Sequence, residues 1–249
     1  MSTVDFVQED GVARLIFKNV AKHNALGSAE LDAIERALAM LATESRVLLI
    51  HAQGGRTFCA GADLSQISTG ALSGDRFQEV TNRIASAPVP TIALINGNVF
   101  GGGVELALSC DFRIGVNDTV MRIPAAALGL CYPPEGIQRM VRRLGVQLAK
   151  RVLVAAEEFT AEQMLSYDIV DALYSREAAL AAAESRAKTI AALAPMAVSH
   201  MLKIIRSVEN NCFDASEAQQ LAADCANSQD FKEGLVARRE RRAPMFSGS

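Results

Sequence analysis

Three consecutive glycines, Gly101-Gly102-Gly103, separate an apolar run, Thr91 to Ile95, from a segment of helical spacing that carries one glutamate, Glu105, on an otherwise apolar face. The run reads as a buried strand, so the stretch from Asn96 to Asp111 is a strand end, a glycine turn and a helix start. Glycine permits backbone angles closed to other residues and lets a ligand come close to the main chain. Unbonded amides of a first helical turn, with the helix dipole behind them, favour negative charge at that point. Helical side chains lean toward the N-terminus, which sets the Glu105 carboxylate over the turn where Gly102 presents its amide. A base beside an anion site is the functional reading. A first-turn glutamate can also do no more than complement the dipole or close a capping box, although that box needs a Ser or Thr that Gly102 does not supply.

The 249 residues allow one large domain or a domain with an appendage. The net charge of −3 gives no support to a nucleic-acid surface, and basic residues gather only at Arg142-Arg143 and from Arg238 to Arg242. No apolar run approaches the roughly 20 residues of a membrane span, and the start lacks a basic segment and an h-region, so a cytoplasmic protein without a membrane partner is expected. Cys59, Cys110, Cys131, Cys212 and Cys225 are scattered and never spaced as CxxC, which suggests neither a disulfide framework nor a metal site.

Val4 to Gln8 and Val12 to Phe17 read as a hairpin turned by Asp10-Gly11. Ser28 is placed as the cap of a helix with apolar positions Leu31, Ile34, Leu38 and Leu41. Arg46 to His51 reads as a strand buried on both faces, and it leads into a second glycine-containing turn, Phe58-Cys59-Ala60-Gly61-Ala62-Asp63-Leu64. Residues 65–75, rich in Ser, Gly and Ala, are expected to form a flexible loop. Phe77 to Ala87 is helical and stopped by Pro88-Val89-Pro90. Phe112 to Val116 is a further strand, Tyr132 to Gly136 a turn, and Ile137 to Leu144 a helix. From Lys150 the alanine-rich pattern is helical, with Glu157 to Val170 as a connecting pair, and no strand signal follows Ala194. The alternation implies a largely parallel α/β core, and the all-helical tail suggests an assembly element.

Several chemistries are weakened by what is missing. Gly97 and Gly102 have P-loop spacing, but Gly103 stands where a lysine is required, and neither GxGxxG nor GxSxG occurs. His51, at the end of a buried strand, reads as a satisfied core residue, and His23 as structural or substrate-contacting.

Four separated segments, in order along nearly the whole chain, together resemble the crotonase family, also called the enoyl-CoA hydratase/isomerase superfamily. They are Asn24-Ala25-Leu26, the run from Phe58 to Leu64, the stretch from Asn96 to Asp111, and Asp230-Phe231-Lys232-Glu233-Gly234 with Pro244 and Phe246. The resemblance implies an α/β fold, a crotonase-like spiral of ββα units over residues 1–194 that binds acyl-CoA. It also implies a C-terminal helical oligomerisation region, residues 195–249, that builds a homotrimer, often paired into a hexamer. In that family two backbone amides hold the thioester oxygen, and the matching positions are Ala62 and Gly102, with Glu105 as the catalytic carboxylate. Contacts to the substrate and its coenzyme are implied at Ala60, Asp63, Leu64 and Ser65, with Lys22 as a phosphate contact. Coenzyme A arrives as part of the substrate, so no separate cofactor is expected.

Two departures qualify the likeness. Hydratases of the family use two glutamates, and the second should follow Pro124, where this chain has Ala125. Glu135, in a Pro-Glu-Gly segment that resembles a loop of some enoyl-CoA isomerases, is a candidate second acid, with a solvated turn residue as the alternative. The lysine that the family often places before the final proline is Ala243 here, with Arg241 or Arg242 as candidate substitutes. The expected function is therefore an acyl-CoA-processing enzyme of the enoyl-CoA hydratase/isomerase type that stabilises a thioester enolate and favours isomerisation over efficient hydration. The alternative is a catalytically weak CoA-thioester-binding or RNA-associated scaffold protein.

Overall fold

The computed structural model describes residues 2–41 and 44–249. Strands β1 (Val4–Glu9) and β2 (Val12–Phe17) form the expected antiparallel hairpin, with Asp10 and Gly11 at φ +50° and +74° in its turn. Paired left-handed residues give a two-residue turn the twist of its strands. Helix α1 (Ser28–Ala39) follows, and its cap is Gly27 rather than Ser28, whose hydroxyl donates to the Ala71 carbonyl at 3.1 Å.

Three strand-strand-helix units come next. Strands β3 (Val47–Ala52) and β4 (Thr57–Cys59) lead to helices α2 (Leu64–Ser68) and α3 (Gly74–Ala85). Strands β5 (Thr91–Ile95) and β6 (Asn98–Phe100) lead to α4 (Gly102–Ser109), and β7 (Phe112–Val116) and β8 (Val120–Arg122) lead to α5 (Pro134–Leu153). Further elements are β9 (Phe159–Thr160), α6 (Ala161–Ser166), β10 (Ala172–Tyr174) and α7 (Arg176–Ala191). One sheet runs β1-β2-β3-β5-β7-β10 and the other β4-β6-β8-β9. Each unit thus adds one parallel strand to each sheet before its helix, which winds the chain into a spiral of ββα repeats.

Burial on both faces explains why β3 and β5 read as near-continuous apolar runs, broken only by His51 and Thr91. Val47, Leu49, Ile92 and Leu94 meet Ala179, Ala183, Ala187 and Ala191 of α7, while the alternating Leu48, Ile50, Ala93 and Ile95 belong to the central core. The alanines recur every fourth residue, so one stripe of small side chains lets α7 lie close to the sheet. The tail is helical as expected: α8 (Pro195–Glu209), α9 (Ala215–Asn227) and α10 (Gln229–Glu240). They leave Met201, Ile205, Val208, Phe231 and Leu235 exposed on the single chain.

Four local expectations are corrected. Residues 65–75 are not one loop, because the Asp63 carboxylate accepts from the amides of Ser65 and Gln66 and starts α2, and Gly74 already lies in α3. The segment from Tyr132 to Gly136 is not a turn throughout, since Pro134 opens α5; a proline there has no first-turn N–H to lose. That helix also runs past Leu144 to Leu153 through a kink at Gly145, φ +75°. Strands β9 and β10 were hidden inside the alanine-rich, helical-looking region, because strands of two and three residues are too short to show a period.

Candidate functional site

The two glycine turns stack on one another. Strands β4 and β6 are parallel neighbours, and each leads into a turn with a glycine of positive φ, Gly61 at +87° and Gly101 at +51°. A methyl group added at Gly61 would stand 2.6 Å from the Gly102 nitrogen, so the turns approach to a distance that only glycine allows. The bridge from the Leu26 segment leaves the Ala62 amide aside: Leu26 N donates to Gly61 O at 2.8 Å, and Asp63 N donates to Leu26 O at 2.9 Å. Gly102 is the first residue of α4, where an amide has no acceptor within its own helix.

Both residues line a cavity of about 190 Å³ together with Glu105, Ala60 and Leu64. Most of the remaining wall is apolar, with Ile67, Phe77, Ile123, Ala125 and Leu128, and among its side chains Glu105 is the one carboxylate. Glu105 is 0% exposed, and a buried charge persists only where donors compensate the lost water. Gln78 Nε2 donates to both of its oxygens at 2.9 Å, the Thr81 hydroxyl to Oε1 at 3.0 Å and the Tyr132 hydroxyl to Oε2 at 2.9 Å. Arg139 Nε stands 3.7 Å from Oε1. Burial, and then the Glu105 charge, push the Tyr132 phenol well above its ordinary range, so it stays protonated and donates. Oε2 thus accepts from Gln78 and Tyr132, and Oε1 from Gln78, while the single Thr81 hydroxyl proton is shared between Oε1 and the Gln78 carbonyl oxygen, each 3.0 Å away.

The other coenzyme-contact candidates lie beside this wall. Asp63 caps α2 and receives Lys22 Nζ at 3.1 Å, while Lys22 itself stays mostly exposed. Hydrogen bonds from the Ser65 hydroxyl and then Lys22 lower the Asp63 carboxyl to about 2. Glu135 is exposed, accepts from Asn82 Nδ2 at 2.7 Å and lines a separate polar cleft with Arg139 and Arg142. It does not join Glu105 in the cavity. Arg242 is engaged by Glu233 and Glu240, and Arg241 ends α10 in the left-handed region. His51 is buried with Nδ1 3.2 Å from the Ala52 carbonyl oxygen, and burial lowers its pKa, in keeping with a core residue.

The polar partners of Glu105 were absent from the sequence reading. Gln78 and Thr81 lie three residues apart on the buried face of α3, among Phe77, Val80 and Ile84. Two polar residues interrupting an apolar helical stripe were the available signal. Tyr132 had none, because its burial depends on α3, α4 and α5 coming together.

A family model described as enoyl-CoA hydratase/isomerase matches residues 7–249. The probable enoyl-CoA hydratase echA6 of Mycobacterium tuberculosis is 31% identical over 247 residues, which cover 99% of this chain and 100% of that protein. The mitochondrial enoyl-CoA hydratase domain-containing protein 2 of Mus musculus is 34% identical over 252 residues, covering 96% of this chain and 85% of that one. Among solved structures, the enoyl-CoA hydratase from Bacillus anthracis matches with a TM-score of 0.93 and 25% identity over 100% of both chains.

Proposed function

The chain belongs to the enoyl-CoA hydratase/isomerase family, and from that membership we propose that it is a single-carboxylate enzyme that moves the double bond of an enoyl-CoA thioester. In this reading the thioester oxygen accepts hydrogen bonds from the amides of Ala62 and Gly102, and donors aimed at a developing enolate oxygen are worth about 3 kcal/mol apiece. Glu105 takes a proton from C2 of a 3-enoyl thioester, the electron pair passes to the thioester oxygen, and the proton returns at C4. The double bond has then moved into conjugation, with no atom gained or lost. To receive that proton Glu105 must release one of the donors that now occupy it. Lys22, Ala60, Asp63, Leu64 and Ser65 are assigned to the acyl-CoA in the same reading, and Glu135 to solvent.

The observation that carries this reading is the cavity wall, where Glu105 meets Ala125 instead of a second carboxylate. Addition of water needs a second group to hold the water and manage a proton, so hydration should run slower than in two-glutamate relatives by about 100-fold or more. The test follows the absorbance of the conjugated thioester with 3-hexenoyl-CoA and, separately, crotonyl-CoA. Rapid appearance from the first and slow loss of the second are expected; efficient crotonyl-CoA hydration would overturn the assignment.

The several donors held against the Glu105 carboxylate favour a second reading, a protein that binds CoA thioesters with little turnover. Tight calorimetric binding of acetoacetyl-CoA with no conversion of either enoyl substrate separates the two. A homotrimer, or a pair of them, is the assembly proposed, supported by the apolar side chains that α8 and α10 leave exposed.

A further inference from the structure

Helix α5 carries a charged stripe that the thioester cavity does not use. Glu135, Gln138, Arg139, Arg142 and Arg143 recur at the spacing of one helical face, and they form one wall of a cleft of about 400 Å³ that α3 and α8 close. The cleft shares no wall residue with the cavity around Glu105. Like charges three and four residues apart on a helix repel, so Arg139, Arg142 and Arg143 call for counter-charges. Arg143 has Glu209, with Nε 3.0 Å from Oε1, and Arg206 of α8 has Asp111 at 3.0 Å. Arg139 and Arg142, by contrast, hydrogen-bond only neutral amides among the described residues: Arg139 Nη2 donates to Asn82 Oδ1, and Arg142 Nη1 to Asn210 Oδ1 at 2.6 Å. Glu105 stands 3.7 Å from Arg139 Nε, too far for a hydrogen bond, and Glu135 is held by Asn82 rather than by an arginine. Burial lowers the Arg139 pKa, with Glu105 opposing the shift and Arg143 adding to it. A guanidinium has five N–H groups, so most donors of this pair are unspent. Both reach the surface: the Arg139 side chain is 12% exposed, and Arg142 is an exposed residue.

We propose that this cleft binds a phosphate-class oxyanion between the guanidinium groups of Arg139 and Arg142. Planar guanidinium forks bond phosphate oxygens in pairs, and such charge-assisted bonds are stronger than neutral ones. A phosphate brings several acceptor oxygens and more than one negative charge near neutral pH, which answers both the unspent donors and the unbalanced charge. Arg206 and Glu209 on the α8 side of the cleft lie about 100° around that helix from Ile205 and Val208, so the apolar face assigned to assembly is a different one. Free phosphate and the phosphates of the coenzyme share this chemistry. The separate walls of cleft and cavity favour the free ion.

The experiment is calorimetric titration of the full-length protein with inorganic phosphate at constant ionic strength, for the wild type, Arg142→Gln, Glu135→Gln and Lys18→Gln. The wild type should bind phosphate with a Kd of about 1 mM or tighter. Arg142→Gln changes an exposed residue, so it should fold, and the loss of one charged fork should weaken binding at least about ten-fold. Glu135→Gln takes a negative charge from the same wall and should tighten binding by about two-fold or more. Lys18 pairs with Asp5 outside the cleft, and Lys18→Gln, a control for lost positive charge, should bind as the wild type does. Saturation with acetoacetyl-CoA should leave the phosphate affinity unchanged. A wild type that does not bind phosphate, equal weakening in Arg142→Gln and Lys18→Gln, or weaker binding in Glu135→Gln overturns the inference. Loss of phosphate binding on adding acetoacetyl-CoA would assign the anion to the coenzyme and overturn a separate site.

Discussion

A methyl group added at Gly61 would lie 2.6 Å from the backbone nitrogen of Gly102 and 2.9 Å from the Phe100 carbonyl oxygen, so two turns 41 residues apart in sequence pack main chain to main chain. Gly61→Ala would face both that clash and a left-handed backbone, φ +87°. Strain of the second kind alone costs roughly 1–3 kcal/mol. The variant should unfold at lower temperature than the wild type and bind acetoacetyl-CoA at least about ten-fold more weakly, because the Ala62 and Gly102 amides would no longer converge. Calorimetry and thermal unfolding check both effects; wild-type affinity in Gly61→Ala would mean that these amides do not hold the ligand.

Acid should reveal the cap of α2. The Asp63 carboxyl is held at about 2 by the Ser65 hydroxyl and then Lys22, below the ordinary value of about 3.9 for the unfolded chain. A group depressed on folding contributes stability above its unfolded pKa and loses it as the pH falls through the folded one. Asp63→Asn, which preserves a capping oxygen, should cost about 1 kcal/mol at neutral pH. That gap should close between pH 4 and pH 2 in chemical denaturation. A gap that is unchanged with pH would show that the charge contributes nothing.

Ala125 is 7% exposed and forms part of the cavity wall. Ala125→Glu should therefore raise crotonyl-CoA hydration, by up to the roughly 100-fold that a second acid or base contributes. Glu135→Gln should leave turnover within about two-fold, since a surface substitution away from the site changes little. Loss of activity in Glu135→Gln would move the second acid to that position.

Assembly is read from the tail. Met201, Ile205 and Val208 on α8, with Phe231 and Leu235 on α10, are more than half exposed on the single chain. Sedimentation equilibrium should return a trimer or a multiple of it, and deletion of the residues after Ala194 should lead to aggregation. A stable full-length monomer would contradict the assignment.

The sequence disclosed different parts of this molecule unequally. Strands β3 and β5 were legible because their six and five residues are apolar but for His51 and Thr91, the mark of burial on both faces. Strands β4 and β6 span only three residues each, yet their glycine turns were readable because positive φ and close approach leave a compositional trace. Helix α2 was obscured by its Ser- and Gly-rich surroundings, although Asp63 stood at its cap position. The clamp on Glu105 was the least legible feature: Gln78 lies 27 residues before it and Tyr132 27 residues after. Their convergence follows from the packing of three helices, and no local pattern encodes it.

The proton transfer proposed for Glu105 is tested by conversion of 3-hexenoyl-CoA in deuterated buffer by the wild type and by Glu105→Gln, with product isotope content read by mass spectrometry. The wild type should form the conjugated 2-enoyl thioester with deuterium at C4 wherever the transferred proton has exchanged with solvent. Glu105→Gln should form it at least about 100-fold more slowly, the contribution of one general base. Equal rates and equal deuterium content in the two proteins would contradict the account and place the chemistry on another residue.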